Sequence, residues 1–303
     1  MDTCVDDGNG VEKYVEIDSL RLKVCIDKQV KYPTAILLLF HGYTSVNQYW
    51  DPTVAKMHED ERLKPYIDKV LIARIEAPMI PCHLFGGLPR NCYYEFMGRS
   101  KGMIEDIEGI ISCNKQVHHI ILDLSAKYRV PTSQFVLMGF SQGGAVSLLA
   151  GTTYPDYQGA VVALSTYFPM MDHVNIDINY SNPEILYLHG DSDKVLDVSF
   201  ARESQKFLTD RAFSSSQTII KGLGHRVDMK EIENLVIPFI LIKASGGWAQ
   251  KPAYLETVPD ETSKVKAEGE EVEEEEEHTE TEEEEEEEGE EGHPKKDLET
   301  TVD

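Results

Sequence analysis

The first 250 residues alternate between short apolar runs and longer amphipathic stretches. Runs of six or seven mostly apolar residues are typical of strands buried on both faces of a sheet, and they occur at 34–40, 69–75, 135–140, 160–165 and 184–190. A further strand is predicted at 217–222. Apolar residues that recur three or four positions apart predict helices at 52–64, 103–128, 142–154, 198–209 and 226–243, the last bent near Pro238.

This order of elements predicts one α/β domain over residues 1–250, with a doubly wound, mostly parallel sheet and helices on both faces. Helical connections between parallel strands are right-handed almost without exception, which leaves few topologies to consider. Two segments depart from the alternation. Residues 11–27 predict an antiparallel hairpin, and the Pro- and Gly-rich residues 76–91 predict a loop.

The charge of the chain is concentrated near its C-terminal end. Of a formal net charge of −25, −19 belongs to residues 251–303, which hold 24 acidic and five basic residues. Like charges repel and little apolar surface is available to bury, so this Glu-rich acidic tail is predicted to be disordered. A solubilising extension is the simplest interpretation of the tail, and a binding segment for basic partners is the alternative.

The remaining residues are mildly acidic, which argues against nucleic acid as a partner because phosphate binding needs clustered lysine and arginine. The five cysteines are odd in number and form no CxxC pair, so reduced thiols and a cytoplasmic location are expected. The first ten residues are acidic and polar rather than a secretory signal, and no apolar run reaches the roughly 18 residues of a membrane span. An unmodified thiol is the simplest interpretation of Cys4, with a reversible acyl group as the alternative.

A serine lies between glycines where the strand predicted at 135–140 meets the next helix. Residues 139–143 read Gly-Phe-Ser-Gln-Gly, the GxSxG pattern of a nucleophile elbow, whose sharp turn exposes the serine hydroxyl at the positive end of a helix dipole. Side chains at Gly139 and Gly143 would collide with neighbouring backbone in such a turn. The alternative is an ordinary tight turn in which Ser141 caps the helix.

A serine nucleophile needs a base, and that base needs an acid to orient it. In a fold with this elbow the acid comes next along the chain and the histidine last. The loop after the strand at 184–190 holds three aspartates, Asp191, Asp193 and Asp197. His225 follows the last predicted strand. Because the carboxyl ends of parallel strands meet at one edge of a sheet, all of these side chains are expected near Ser141.

An oxyanion formed on the substrate needs backbone N–H donors, each typically worth about 3 kcal/mol in the transition state. The N–H groups of Gln142, after the serine, and of Tyr43, after the strand at 34–40, are the candidates. His41 is interpreted as a structural histidine that shapes its turn. No cluster of His, Cys and Asp has metal-ligand spacing, so no metal site is expected.

Several segments, taken in order, resemble the acyl-protein thioesterase, or phospholipase/carboxylesterase, family of the α/β-hydrolases: 40–50, 77–96, 139–151, 188–204 and 222–240. The resemblance implies an α/β-hydrolase fold that needs no metal or cofactor. It also implies Ser141 as nucleophile, His225 as base and Asp193, the second aspartate of an H-G-D-x-D pattern, as acid. Members of the family hydrolyse thioesters of S-acylated cysteines on proteins and esters of lysophospholipids and small molecules.

The chain departs from the family pattern beside these motifs. Tyr43-Thr44-Ser45 stands where leucine, glycine and aspartate are usual, and Tyr93-Tyr94-Glu95 where tryptophan, phenylalanine and aspartate are commoner. Lys194 replaces the proline that usually follows the acid. The two aromatic segments are expected to border the acyl pocket, so they bear on the preferred length of the acyl chain.

The leading hypothesis is a serine esterase or thioesterase that forms an acyl-enzyme, with depalmitoylation of proteins as the activity that the resemblance implies. Its expected partners are S-acylated proteins, lysophospholipids or other acyl esters, with transient contact to a membrane surface as one way to reach them. A small-ester carboxylesterase and a catalytically retired scaffold with a partner-binding tail are the alternatives. Apolar residues of the loop at 76–91 are expected either to line an acyl groove or to pack the loop onto the sheet: Met79, Ile80, Leu84, Phe85 and Leu88.

Overall fold

The structure, a computed structural model, describes residues 13–15, 22–97 and 104–243, with the backbone alone described at 13–15, 242 and 243. The strands in this part of the chain are β1 (Lys13–Val15), β2 (Lys23–Ile26), β3 (Ala35–Phe40), β4 (Val70–Glu76), β5 (Met79–Cys82), β6 (Leu88–Asn91), β7 (Phe135–Phe140), β8 (Ala160–Leu164), β9 (Glu184–Gly190) and β10 (Ser215–Ile220). The helices are α1 (Asp51–Glu59), α2 (Lys64–Ile67), α3 (Ile107–Tyr128), α4 (Gln142–Thr153), α5 (Val198–Thr209), α6 (Met229–Glu231) and α7 (Ile237–Lys243). Short 3₁₀ turns occur at Asn47–Trp50, His83–Phe85 and Thr132–Gln134.

An eight-stranded sheet runs through the described residues in the order β1-β2-β4-β3-β7-β8-β9-β10. The six strands from β4 to β10 in this order are parallel, and β1 and β2 add an antiparallel edge. The predicted mostly parallel sheet and the predicted N-terminal hairpin are therefore confirmed. From β3 the chain proceeds to β4 on one side and later to β7 on the other, so the strand order reverses there. A crevice forms at the carboxyl ends of strands at such a reversal, here beyond Phe40 and Phe140.

Both faces of the sheet are covered by helices, as the continuous apolar strands predict. Alternate side chains of β3 enter two separate apolar clusters: Ile36 and Leu38 pack with α3, α4 and α5, whereas Leu37 and Leu39 pack with α1 and α7. Helix α3 contributes buried residues three or four positions apart, including Ile110, Cys113 and Val117, which is the amphipathic pattern read from the sequence. The two layers hold the sheet rigidly behind the crevice.

The segment at 76–91 forms a β-hairpin instead of the predicted loop. Strands β5 and β6 pair antiparallel in a separate two-stranded sheet, with Pro81 opposite Pro89. Because each strand of a two-stranded sheet has one unpaired edge, prolines that lack an N–H are tolerated there. The sulfur atoms of Cys82, the last residue of β5, and Cys92, directly after β6, lie 2.8 Å apart.

Two predicted helices are interrupted in the structure. The helix predicted at 52–64 divides into α1 and α2. In the C-terminal helix, a π-helical stretch (Ile232–Val236) separates α6 from α7, and the N–H of Ile237 bonds to the carbonyl of Ile232, five residues earlier. This extra residue in the turn lies directly before Pro238, whose ring and missing N–H disfavour a regular helix at that point. The predicted irregularity near Pro238 is thus a π turn.

Several predictions concern parts of the chain outside the described residues. These include the disordered acidic tail at 251–303 and the state of Cys4. The four cysteines within the described ranges, Cys25, Cys82, Cys92 and Cys113, are buried and unbridged. Among the helices described here, none combines the length and the apolar content that a membrane crossing needs.

Candidate active site

Ser141 lies at a strained turn between β7 and α4. Its backbone has φ 54° and ψ −121°, in the left-handed region that residues other than glycine rarely adopt. A Cβ atom at Gly139 would lie 2.1 Å from the carbonyl oxygen of Gly143, and one at Gly143 would lie 2.2 Å from that of Phe40. Both glycines are therefore required by close backbone approach, as the sequence predicts. The turn presents the Ser141 side chain to the crevice rather than to the helix, which it does not cap.

Three side chains from separate loops meet in front of this turn. The Oγ atom of Ser141 lies 3.0 Å from Nε2 of His225, and Nδ1 of His225 lies 2.7 Å from Oδ2 of Asp193. Ser141 follows β7, Asp193 follows β9 and His225 follows β10, so parallel strands deliver them to one edge of the sheet. Because the carboxylate accepts from Nδ1–H, Nε2 is free to accept a proton from the serine hydroxyl.

The carboxylate of Asp193 is almost completely enclosed. Its Oδ1 accepts hydrogen bonds from the N–H groups of Val195, at 2.8 Å, and Leu196, at 2.9 Å. Burial by itself raises the pKa of Asp193, but the bonds from His225 and from these two backbone groups outweigh it and hold the pKa below its ordinary value. Asp193 is therefore ionised at neutral pH and can stabilise a protonated His225.

The other two aspartates of the loop bind elsewhere. Asp191 is exposed, and its Oδ1 accepts from the N–H of Gly222 at 2.7 Å, which ties the loop after β9 to the turn after β10. Asp197 caps α5, accepting from the N–H of Ser199 at 2.9 Å. Of the three aspartates named from the sequence, only Asp193 contacts His225 in the described structure.

The residues proposed to bind the oxyanion, Tyr43 and Gln142, belong to two turns that line the cavity beside Ser141. Gln142 is the first residue of α4, and the first N–H groups of a helix have no acceptor within it. Tyr43 follows Gly42 in the turn after β3, and a Cβ atom at Gly42 would lie only 3.5 Å from the Cβ of Ser141. Both Tyr43 and Gln142 line the same cavity as Ser141. The positive end of the α4 dipole also points to this cavity.

Side-chain hydrogen bonds that the sequence did not predict connect the two turns. The amide group of Gln142 accepts from the N–H of Tyr93 at 3.1 Å and donates to the carbonyl of Tyr94 at 2.7 Å. The Tyr93 hydroxyl donates to the carbonyl of Ile75 at 2.6 Å and accepts from the N–H of His41 at 3.1 Å. The pair Tyr93-Tyr94 was visible as a departure from the family pattern, but its bonds link residues far apart in sequence.

Two buried histidines have structural roles. His41 Nδ1 donates to the carbonyl of Gly42 at 2.8 Å, and its Nε2 accepts from the N–H of Ala77 at 3.1 Å. Burial lowers the pKa of His41 to about 4, against a small opposing effect of the bond to Gly42, so the ring is neutral. His189 donates from Nε2 to the carbonyl of Leu196 at 2.9 Å and closes the loop that carries Asp193. Within the described ranges, no three His, Cys, Asp or Glu side chains are grouped as metal ligands.

A cavity of about 170 Å³ opens beside Ser141 and His225. Its apolar lining includes Tyr43, Phe85, Phe96, Tyr167, Val195 and Leu196. Of the five groove residues expected from the sequence, Phe85 lies in this lining. Ile80 lies in a different cavity of about 450 Å³ that includes neither Ser141 nor His225. Met79, Leu84 and Leu88 are exposed on the hairpin β5–β6.

Comparison with known proteins agrees with this geometry. Residues 23–241 match the family model described as phospholipase/carboxylesterase. The chain belongs to the phospholipase/carboxylesterase family. The chain is 29% identical over 221 residues to acyl-protein thioesterase 1 of Cryptococcus neoformans var. neoformans, covering 67% of the chain and 90% of that protein. Acyl-protein thioesterase 1 of Gibberella zeae is 28% identical over 212 residues, covering 67% of the chain and 88% of that protein.

Solved structures share its fold. Arabidopsis thaliana SOBER1 superposes with a TM-score of 0.60 at 20% identity, covering 70% of this chain and 97% of that one. Zea mays acyl-protein thioesterase 2 superposes with a TM-score of 0.59 at 20% identity, covering 74% of this chain and 98% of that one. The chain therefore has the α/β-hydrolase fold expected from its sequence. Together with the family and the thioesterase relatives, this makes it a hydrolase of the esterase/thioesterase type.

Proposed function

We propose that this protein is a serine hydrolase that cleaves acyl thioesters or acyl esters through Ser141, His225 and Asp193. The observation that carries the proposal is the continuous hydrogen-bonded chain from the Ser141 hydroxyl through the His225 imidazole to the Asp193 carboxylate. A serine hydroxyl is a weak nucleophile unless such a base takes its proton. The unprotonated Nε2, 3.0 Å from Oγ, is in position to do so.

In the first half of the reaction, Ser141 Oγ attacks the acyl carbonyl carbon as its proton moves to His225 Nε2. The carbonyl oxygen becomes an oxyanion, and the N–H groups of Tyr43 and Gln142 donate to it. Asp193 keeps Nδ1 protonated throughout and stabilises the imidazolium. Its depressed pKa means that the carboxylate remains charged when His225 becomes positive. Preformed donors of this kind stabilise the transition state more than the ground state.

In the second half, the tetrahedral intermediate collapses and the bond to the thiol or alcohol breaks. His225 Nε2 returns its proton to the departing sulfur or oxygen, leaving the acyl group esterified to Ser141. Water then enters, His225 removes one of its protons, and the resulting hydroxyl attacks the acyl carbon. Collapse of this second intermediate releases the carboxylic acid and restores the Ser141 hydroxyl.

The substrate class follows from the site and the relatives together. The apolar cavity beside Ser141 suits the acyl part of a substrate, and the curated relatives are named acyl-protein thioesterases. We therefore assign acyl groups on protein cysteines, or on small thiols and alcohols, as the substrates. The retired-scaffold alternative is not adopted, because a scaffold has no need of a hydrogen-bonded Ser141, His225 and Asp193 beside an apolar cavity.

Hydrolysis by single variants tests this proposal. Purified wild-type chain is compared with Ser141→Ala on an acyl thioester and on the matching acyl ester. The variant should lose at least about 10³-fold in kcat, because the nucleophile is gone and only binding and oxyanion stabilisation remain. Ser112→Ala, which changes an exposed serine on α3, serves as the control and should retain wild-type rates. Equal turnover by wild type and Ser141→Ala would refute the proposal.

A further inference from the structure

Part of the wall of the cavity beside Ser141 consists of aromatic rings that pack on one another. The ring of Tyr43 lies 5.5 Å from that of Phe96, and the ring of Phe96 lies 6.3 Å from that of Tyr167. Phe200 of α5 packs against the far side of Tyr167, with ring centroids 6.5 Å apart. Together with Leu196 and neighbouring residues they form a small apolar cluster, separate from the two clusters that cover the sheet.

The inner part of this wall is held in place from behind. The hydroxyl of Tyr167 lies 2.9 Å from the hydroxyl of Tyr94, and both side chains are at most 5% exposed. A buried tyrosine that swung away would leave the hydroxyl of its partner without that hydrogen bond, which is costly inside a protein. Phe200 also occupies the space behind the ring. Tyr167 is therefore a fixed part of the cavity wall rather than a movable flap.

The size of the cavity sets how much of an acyl chain it can enclose. An apolar cavity of about 150 Å³ holds one benzene molecule, which has six carbon atoms, and protein interiors tolerate little extra volume. The cavity here measures about 170 Å³. Building on the function proposed above, we infer that the enzyme is selective for short acyl groups, of up to about six carbons, and that Tyr167 sets this limit. A palmitoyl group, with sixteen carbons, has more than twice as many carbons as this limit.

A longer chain has only the open side of the cavity to follow. Among the lining residues Phe85 is 38% exposed, and it belongs to the turn of the exposed hairpin β5–β6. Carbons lying over this exposed surface remain partly in water, so each gains less than the full burial of a CH₂ group. The enclosed carbons gain contact on all sides and also fix the carbonyl near Ser141. Short acyl groups therefore obtain most of the available binding, whereas added carbons contribute little or must deform the wall.

A chain-length series measures this selectivity on the full-length protein. Esters of one leaving group, and thioesters of one thiol, are prepared with acyl chains of two, four, six, eight, twelve and sixteen carbons, below their critical micelle concentrations. The expected kcat/KM rises to a maximum at or below six carbons and falls at least tenfold by twelve. The same order in both series would show that the acyl part, not the leaving group, sets the limit.

Variants of the aromatic cavity wall test the role of Tyr167 as a specificity-determining residue. Tyr167→Ala removes the ring and should raise the ratio of kcat/KM for twelve carbons over six carbons at least tenfold. Tyr167→Phe keeps the ring and loses only the bond to Tyr94, so it should keep the wild-type ratio. If Tyr167→Ala is poorly folded, Phe96→Ala opens the neighbouring part of the same wall and should shift the ratio in the same direction.

The outcomes separate this inference from the function on which it rests. Rates that stay level or increase to sixteen carbons in the wild type would overturn the inference while leaving the serine mechanism intact. An unchanged chain-length ratio in folded Tyr167→Ala and Phe96→Ala would overturn the role of the wall. Failure of the proposed function would look different, because turnover at every chain length would then be the same in wild type and Ser141→Ala.

Discussion

Asp193 binds His225 through one carboxylate oxygen, at 2.7 Å from Nδ1, and the loop backbone through the other. The loop backbone therefore fixes the Asp193 carboxylate in the position from which it orients His225. The same loop carries Asp191, which points away from His225 and ties two turns together. This difference between two neighbouring aspartates gives a matched pair of variants for the first prediction.

Asp193→Asn should lower kcat roughly 10⁴-fold, because an amide in this position favours the wrong tautomer of His225 and cannot stabilise its cation. Asp191→Asn removes a charge two residues away and should keep kcat within a few-fold of wild type. Steady-state kinetics on one acyl ester, with circular dichroism to verify folding, distinguishes the two. Similar losses in both variants would show that the loop, rather than the Asp193 carboxylate, is what matters.

Gly139 is required by the close passage of α4 over β7. In Gly139→Ala the new methyl group would meet the Gly143 carbonyl at 2.1 Å, so we expect the free energy of unfolding to fall by about 1–3 kcal/mol, as for other overpacked sites. Gly224→Ala is the control, since nothing lies closer than 3.9 Å to a Cβ atom there. Urea denaturation measures both. A Gly139→Ala variant as stable as wild type would contradict the described turn.

The hydroxyl of Tyr93 joins strand β4 to the turn that carries Tyr43. In Tyr93→Phe the N–H of His41 and the carbonyl of Ile75 both lose this partner inside the protein, so stability should fall by about 1–3 kcal/mol. The turn also loses an anchor, so kcat should fall while KM changes little. Tyr32→Phe, at an exposed tyrosine, should change neither quantity. Denaturation and kinetics of the two variants check this prediction.

The ionisation of Glu231 makes the free energy of unfolding depend on pH. Burial, and then the nearby Asp228, raise the pKa of Glu231 to about 7 from an ordinary value of 4.5. Between about pH 4.5 and 7 the folded state therefore holds a proton that the unfolded state has released. The stability that this proton provides is complete below about pH 4.5, decreases as the pH rises, and is lost above about pH 7. Glu231→Gln cannot ionise, so its melting temperature relative to wild type should be higher at pH 8 than at pH 4.5.

The control for this pH effect is Glu59→Gln, which changes an exposed glutamate on α1. Its melting temperature should differ from that of wild type by the same amount at both pH values. Scanning calorimetry in buffers of equal ionic strength provides the measurement. If the difference in melting temperature between Glu231→Gln and wild type were the same at both pH values, folding would not raise the pKa of Glu231.

Much of the fold was readable from the sequence, because continuous apolar strands and amphipathic helices give strong local patterns. Strands β7 and β9 and helix α5 have the bounds predicted for them. The prediction of a loop at 76–91 is wrong. Its prolines and glycines are typical of turns, and the pairing of Pro81 with Pro89 is possible only because the hairpin forms a separate two-stranded sheet. The π turn before Pro238 has a similar origin. The sequence pattern favours a continuous helix, but one proline within it cannot adopt regular helical hydrogen bonding.

The candidate site shows the same division. Ser141 and His225 could be named because a strand, a turn and a polar residue follow one another locally. The contacts of Gln142 with Tyr93 and Tyr94 could not, since they join residues almost fifty positions apart. The acyl lining was only partly anticipated for a similar reason. Phe85 belongs to the loop that was named, whereas Phe96 and Tyr167 reach the cavity from elsewhere in the chain.

Active-site labelling tests the central claim most directly, namely that Ser141 is an activated nucleophile. The full-length chain is treated with a fluorophosphonate, digested, and analysed by mass spectrometry, with His225→Ala treated in parallel. We predict one phosphonylated serine, Ser141, in the wild type, and a rate of labelling at least 100-fold lower in His225→Ala. Absence of label on Ser141 in folded wild-type protein, or equal labelling in the variant, would contradict the account.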